Sequence, residues 1–193
     1  MAIQLYYNPR SRSTIIHWIL DECDATYELI PVDLAAREQK APAFLAINPA
    51  GKLPALIDGE ARLWETAAIC LYLADRFPAA RLALPTDSPE RGRYLSLVVY
   101  AMTQLEPAMA DTLLGVGTPD LRGWTDFEIA KDVIERELGA GPYLFGERFT
   151  AADVVIGAVL IFKHNHGGGL KRPVLEAYVD RLQARPAAKA LTP

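Results

Sequence analysis

The chain has 193 residues, 51% of them apolar, and a formal net charge of −4. That length can bury one large core or two modest ones, and an acidic balance with scattered Lys and Arg excludes the clustered basic surface that displaces counterions from nucleic-acid phosphates. The two cysteines, Cys23 and Cys70, lie far apart in helix-like patterns, which excludes a disulfide framework and a C-x-x-C redox motif and suits a reducing compartment.

Residues 3–7, Ile-Gln-Leu-Tyr-Tyr, read as a strand, and the first eight residues lack the basic start and apolar run of a secretory signal. Asn8-Pro9-Arg10-Ser11 is turn chemistry, with Ser13 expected as the N-cap of a helix over Thr14 to Asp24 that carries Ile15, Ile16, Ile19, Leu20 and Cys23 at helical spacing. Tyr27 to Val32 reads as a second strand. A βαβ opening of this kind needs a right-handed crossover between parallel strands, which puts the turn after the first strand at the carboxyl edge of the sheet, where binding sites gather.

A short helical piece from Pro42 to Ile47 is ended by Asn48-Pro49-Ala50-Gly51. Ala55 to Ile57 and Ala61 to Trp64 then form a hairpin about Asp58-Gly59. Glu65 to Phe77 carries Ile69, Leu71, Tyr72, Leu73 and Phe77 on a helix that Pro78 stops. The order so far is βαβαββα. Pro78, Pro85 and Pro89 then mark a change of composition that suits a linker.

Beyond it the patterns are helical only, at about 90–114, 124–138, 151–165 and 173–184, with Gly and Pro between them. The expected organisation is an α/β domain over 1–77, a linker over 78–88 and an all-α domain over 89–193, whose last seven residues are small and polar enough to fray. The longest unbroken apolar run, Val154 to Phe162, has nine residues, against roughly 20 for a bilayer span, so a cytoplasmic location is expected. Thr150-Ala151-Ala152-Asp153 has capping-box spacing with Asp in the usual Glu position.

The segment Asn48 to Leu56, followed by Trp64-Glu65-Thr66-Ala67-Ala68-Ile69, resembles the glutathione-binding pattern of the cytosolic glutathione S-transferases. The strand-x-Pro-x-Ser start, the proline-bearing linker and the helical second half extend the resemblance over nearly the whole chain. It implies a thioredoxin-like N-terminal domain, an all-α C-terminal domain and a homodimer. It also implies a cis bond before Pro54, so that Leu53 offers its backbone N–H and C=O to the cysteinyl unit of glutathione in a one-residue imitation of strand addition. Thr66, at a helix N-terminus, would hold the γ-glutamyl carboxylate, Glu65 would face the ammonium, and Lys40 and Lys52 match positions that reach the glycyl carboxylate in several classes.

Family members hold glutathione as its thiolate. Serine-using classes place the hydroxyl in the turn after the first strand, which here selects Ser11, with Tyr7 as a second candidate and Ser13 as a third. The cysteine-using bacterial class would place its thiol where this chain has Arg12, which argues against disulfide-type chemistry. Tyr100 and Met102 are expected to serve an apolar electrophile pocket.

The implied reaction is conjugation of glutathione to small hydrophobic electrophiles. Glutathione-dependent isomerisation, dehalogenation or peroxide reduction and a non-catalytic glutathione-binding role are the alternatives. His164-Asn165-His166 lacks a third ligand of clear spacing, so no metal is expected. His17 is assigned no role.

Overall fold

The computed structural model describes residues 2–117 and 121–191. The chain divides into two compact units, Met1–Ala80 with Ala187–Pro193, and Arg81–Pro186.

In the first unit a four-stranded sheet runs in the order β2-β1-β3-β4, built from β1 (Ile3–Tyr7), β2 (Tyr27–Pro31), β3 (Ala55–Asp58) and β4 (Ala61–Trp64). β1 pairs parallel with β2 and antiparallel with β3, and β3 pairs antiparallel with β4 through the Asp58-Gly59 turn. Alternation along β1 divides the core. Ile3 and Leu5 are buried on one side, whereas Tyr6 packs on the other against Val32, Phe44, Leu53 and Ala55. The helix α1 (Ser13–Glu22) buries Ile15, Ile16, Trp18, Ile19 and Leu20 and packs on α3 (Thr66–Arg76), which buries Ile69, Cys70, Leu73 and Ala74. Each fully buried large side chain contributes about 1.5–3 kcal/mol. The short α2 (Pro42–Leu45) supplies Phe44. This is the expected thioredoxin-like arrangement.

Ser13 does not cap α1 as expected. The N-cap is Arg12, whose side chain makes no capping hydrogen bond, and Ser13 is the first helical residue with its hydroxyl turned back to the backbone of Asn8. A chain that leaves β1 through Pro9 must close a tight turn, and the buried hydroxyl serves that turn before it serves the helix.

The second unit is helical. Residues 81–88 already belong to it: Leu82 and Leu84 are buried, Ala151 N donates to Leu82 O, and Arg91 donates to Leu84 O. The pattern expected as one helix from 90 to 114 is α4 (Arg91–Tyr100), a π segment (Ala101–Leu105) and α5 (Glu106–Leu114). Pro107 accounts for the interruption. It has no N–H for the carbonyl of Thr103 and its ring clashes there, and the preceding turn widens so that Glu106 N donates to Ala101 O.

The remaining helices are α6 (Phe127–Leu138), α7 (Ala151–His166) and α8 (Pro173–Gln183). α7 is apolar on nearly every face and forms the centre of this unit, buried from Ala151 to Ile161. Its start is fixed as the sequence implies, with Thr150 N and Oγ1 both donating to Asp153 Oδ2, at 2.8 and 3.0 Å. Among the described residues no helix is long and apolar enough to cross a membrane.

Candidate functional site

Register brings the predicted binding residues to one edge of the sheet. Tyr6 lies opposite Ala55, and Ala55 lies opposite Trp64. The turn that leaves β1 through Ser11, the residues that enter β3 through Leu53-Pro54, and the Glu65-Thr66 step that leaves β4 therefore share the carboxyl edge of β1. Three stretches far apart in sequence meet there because β3 runs against β1 and β4 runs against β3.

The first turn is a closed polar network around Asn8. Asn8 Nδ2 donates to Val32 O at 2.8 Å, tying the turn to the end of β2, and Asn8 Oδ1 accepts from Arg10 N. Asn8 O accepts from Ser11 N at 3.1 Å, and the hydroxyls of Ser11 and Ser13 lie 2.9 and 3.0 Å from it. The two hydroxyl oxygens are 2.7 Å apart, Ser13 N donates to Ser11 Oγ at 3.2 Å, and Asn8 N donates to Ser13 Oγ at 2.9 Å. Ser13 is fully buried, while Ser11 is half-buried. Arg10 and Arg12 are exposed beside it.

Tyr7 belongs to an aromatic cluster with α1. Its ring stands edge-on to His17 with centroids 5.4 Å apart, and His17 stands in the same way to Tyr27. Burial pushes the Tyr7 hydroxyl above its ordinary value, so it holds its proton at neutral pH. His17 Nδ1 is buried without a hydrogen-bond partner.

The second stretch is organised by Asn48, which is 2% exposed. Its Nδ2 donates to Lys52 O at 2.7 Å, its Oδ1 accepts from Ala50 N, and its carbonyl accepts from Gly51 N. Gly51 has φ +58°, and a Cβ there would lie 2.7 Å from Lys40 Nζ and 2.8 Å from Gln39 O, so both backbone angle and space demand glycine. The Leu53-Pro54 bond is cis, as the family resemblance implies. Leu53 and Pro54 are buried and stand just ahead of the ladder that begins at Ala55. Lys40 and Lys52 are exposed, and Lys40 Nζ donates to Ala50 O at 3.0 Å.

The third stretch carries a backbone outlier. Glu65 is the N-cap of α3 at φ 71°, ψ 120°, a region that non-glycine residues avoid. Its side chain is exposed, and Thr66 is 2% exposed as the first residue of the helix. A strained residue followed by a helix N-terminus gives an outward carboxylate beside backbone N–H groups that accept an anion.

In the second unit, Tyr100 lines a groove of about 450 Å³ with Leu95, Ser96, Val99 and Thr103. Tyr100 Oη is buried without a partner, and burial raises its pKa against the opposing pull of Arg136. Met102, half-buried on the π segment, does not line this groove. His166 stacks on Phe162 and its Nδ1 lies 3.1 Å from Phe162 O. Among the described residues no three His, Cys, Asp or Glu side chains gather as metal ligands would.

Sequence reasoning missed the two asparagines. Both precede proline at the end of an element, and that Asn-Pro pattern of side-chain-closed turns was the signal available.

Comparison with known proteins gives a consistent result. A family model described as glutathione S-transferase, N-terminal domain matches residues 1–75, and one described as glutathione S-transferase, C-terminal domain matches residues 122–181. Glutathione S-transferase 3 of Zea mays is 31% identical over 208 residues, covering 96% of this chain and 90% of the relative. Among solved structures, the ternary complex of the bacterial transferase BphK superposes with a TM-score of 0.81 at 29% identity, covering 97% of both chains. A sphingomonad glutathione S-transferase complexed with glutathione superposes with a TM-score of 0.78 at 30% identity, covering 97% of this chain and 96% of that one.

Proposed function

The chain belongs to the glutathione S-transferase family and is a glutathione-conjugating enzyme, and from that premise we propose that it holds glutathione along the carboxyl edge of β1 with its sulfur at Ser11. The observation that carries this reading is the register Tyr6–Ala55–Trp64, which brings Ser11, Leu53 and Glu65-Thr66 to one edge. Leu53 pairs its backbone with the cysteinyl unit, Thr66 and the start of α3 take the γ-glutamyl carboxylate, Glu65 faces the ammonium, and Lys40 and Lys52 face the glycyl carboxylate.

Lowering a thiol pKa from about 8.5 by about two units requires about 2.7 kcal/mol of preference for the thiolate. A hydrogen bond to a charged group supplies about 1.5–3 kcal/mol and a helix N-terminus about 0.3–1 kcal/mol. Ser11 at the entrance to α1 therefore suffices without a general base. Two observations favour Ser11: the Tyr7 ring packs edge-on against His17, and Ser13 is fully buried whereas Ser11 is only half-buried.

The electrophile is a small hydrophobic molecule, received by the Tyr100 side of α4 with Met102 nearby in sequence. The groove volume falls in the range of small-molecule sites. The enzyme acts in the cytoplasm as a homodimer, as its kinship implies, and sedimentation equilibrium tests the assembly. Should Tyr100→Ala dissociate the dimer and leave turnover intact, the groove is an interface and not a substrate pocket.

The decisive measurement is an ultraviolet pH titration of bound glutathione in the wild type, Ser11→Ala and Tyr7→Phe. The wild type forms thiolate well below pH 8, and Ser11→Ala raises the midpoint by about one to two units. If Tyr7→Phe alone abolishes the thiolate, the serine assignment is wrong. If no variant and no wild type forms it below about pH 8, the transferase chemistry fails and binding alone remains.

A further inference from the structure

Resting on the assignment of Ser11 to the sulfur, we propose that Ser13 is a positioning residue that makes the Ser11 hydroxyl a donor only. The argument is an accounting of protons and lone pairs. A serine hydroxyl has one proton and two lone pairs, whereas a thiolate only accepts. A serine left to itself at a site edge accepts as readily as it donates, and any acceptance from water or a neighbouring N–H competes with the orientation a thiolate needs.

Here both Ser11 lone pairs face donors from one residue. Ser13 N donates to Ser11 Oγ at 3.2 Å, and the Ser13 hydroxyl oxygen lies 2.7 Å from it. Ser13 Oγ in turn accepts from Asn8 N at 2.9 Å, so its own proton is free to be given away. Its possible destinations are Ser11 Oγ and Asn8 O. Asn8 O already receives Ser11 N, and a carbonyl has two lone pairs, so only one hydroxyl completes it. Two arrangements satisfy these atoms: Ser13 donates to Asn8 O while Ser11 donates to Ser13 Oγ, or Ser11 donates to Asn8 O while Ser13 donates to Ser11 Oγ. The role of Ser13 rests on the second, in which both Ser13 donors meet Ser11 Oγ.

The chain Asn8 N–H to Ser13 Oγ–H to Ser11 Oγ then runs in one direction, each bond polarising the next. The Ser11 proton has two exits, back to Asn8 O or outward to an anion at the sheet edge. A charged acceptor wins that exchange, because its hydrogen bond is about twice as strong and Asn8 O keeps the bond from Ser11 N. Ser13, fully buried, touches no ligand. Its contribution reaches sulfur through Ser11.

The test titrates bound glutathione in the wild type, Ser11→Ala, Ser13→Ala, Ser13→Thr and the double alanine variant, and measures affinity for S-methylglutathione, a thioether that cannot become a thiolate. Ser13→Ala is expected to raise the thiolate midpoint by about one unit, a tenfold loss of thiolate at a given pH, and to change S-methylglutathione affinity less than twofold. Ser13→Thr, which keeps the hydroxyl, restores most of the shift. In the Ser11→Ala background the further change at Ser13 has no effect on the midpoint.

A wild-type midpoint in Ser13→Ala overturns the proposal. So does a shift that persists without Ser11, or an equal loss of S-methylglutathione binding, since either makes Ser13 a support of the turn alone. An unshifted Ser11→Ala protein overturns the Ser11 assignment itself, and the role of Ser13 with it.

Discussion

At the scale of single residues, the role proposed for Glu65 sets function against stability. A non-glycine residue held at φ 71° costs about 1–3 kcal/mol. Glycine removes that strain but gives up about 0.5–1 kcal/mol through the greater freedom of the unfolded chain. Glu65→Gly is therefore expected to match or exceed the wild type in chemical denaturation while losing about 10- to 100-fold in glutathione affinity, the loss of one charge-assisted contact. Glu65→Gln keeps the strained backbone and loses only charge, so it is expected to weaken binding without a stability gain. A Glu65→Gly protein that binds glutathione normally removes Glu65 from the site. The position of Glu65-Thr66 at the start of α3 was legible in the sequence. The strain was not, because a positive φ at a glutamate leaves no mark in composition and arises from the corner at which β4 must turn into α3.

At the scale of elements, the start of α7 concentrates hydrogen bonds on one buried carboxylate. Asp153 Oδ1 accepts from Leu144 N at 2.9 Å and from Tyr178 Oη at 2.8 Å, while Oδ2 accepts from both donors of Thr150. The box visible in the sequence is thus also the joint between the helix start, the loop before it and α8. Asp153→Ala leaves Leu144 N, Thr150 N and Tyr178 Oη buried without acceptors, and about 3–5 kcal/mol of stability should be lost. Tyr178→Phe removes one donor and should lose about 1–2 kcal/mol. Denaturant melts of the two variants and their double mutant check this, and additive losses would show that the side chains do not share one network. The spacing Thr150 to Asp153 gave the cap because it is local. The contacts to Leu144 and Tyr178 span 9 and 25 residues and have no periodic signature. The π segment is the opposite lesson: Pro107 stood in plain view, but hydrophobic spacing reads the same whether a helix widens by one residue or not.

At the scale of the whole molecule, both thiols fall in the first unit. They sit where α1 meets α3, and Cys23 Sγ lies 4.0 Å from Leu73 O. Sequence distance separated them and the α1–α3 packing brings them into one core, since helical spacing can name the buried face of each helix but not its partner. Burial, with Glu22 adding to it, pushes the Cys23 thiol up to about 12, and burial pushes Cys70 further. At pH 8 the thiolate fraction of Cys23 is then about one in ten thousand, and the thiolate is the reactive form. Native protein is therefore expected to give no fast reaction with an aromatic disulfide reagent at pH 8, and to react at both cysteines once unfolded. The same shifts carry a pH dependence of stability. A folded pKa raised above the unfolded value of 9.0 means that the folded state binds more protons in that window, so the contribution is fully present below about pH 9 and is lost as pH rises toward about 12. Cys23→Ala, which opens a cavity at neutral pH, should accordingly show a shallower alkaline decline than the wild type in melts between pH 8 and 11. A prompt reaction of one thiol in the native protein at pH 8 would place that cysteine outside the α1–α3 core.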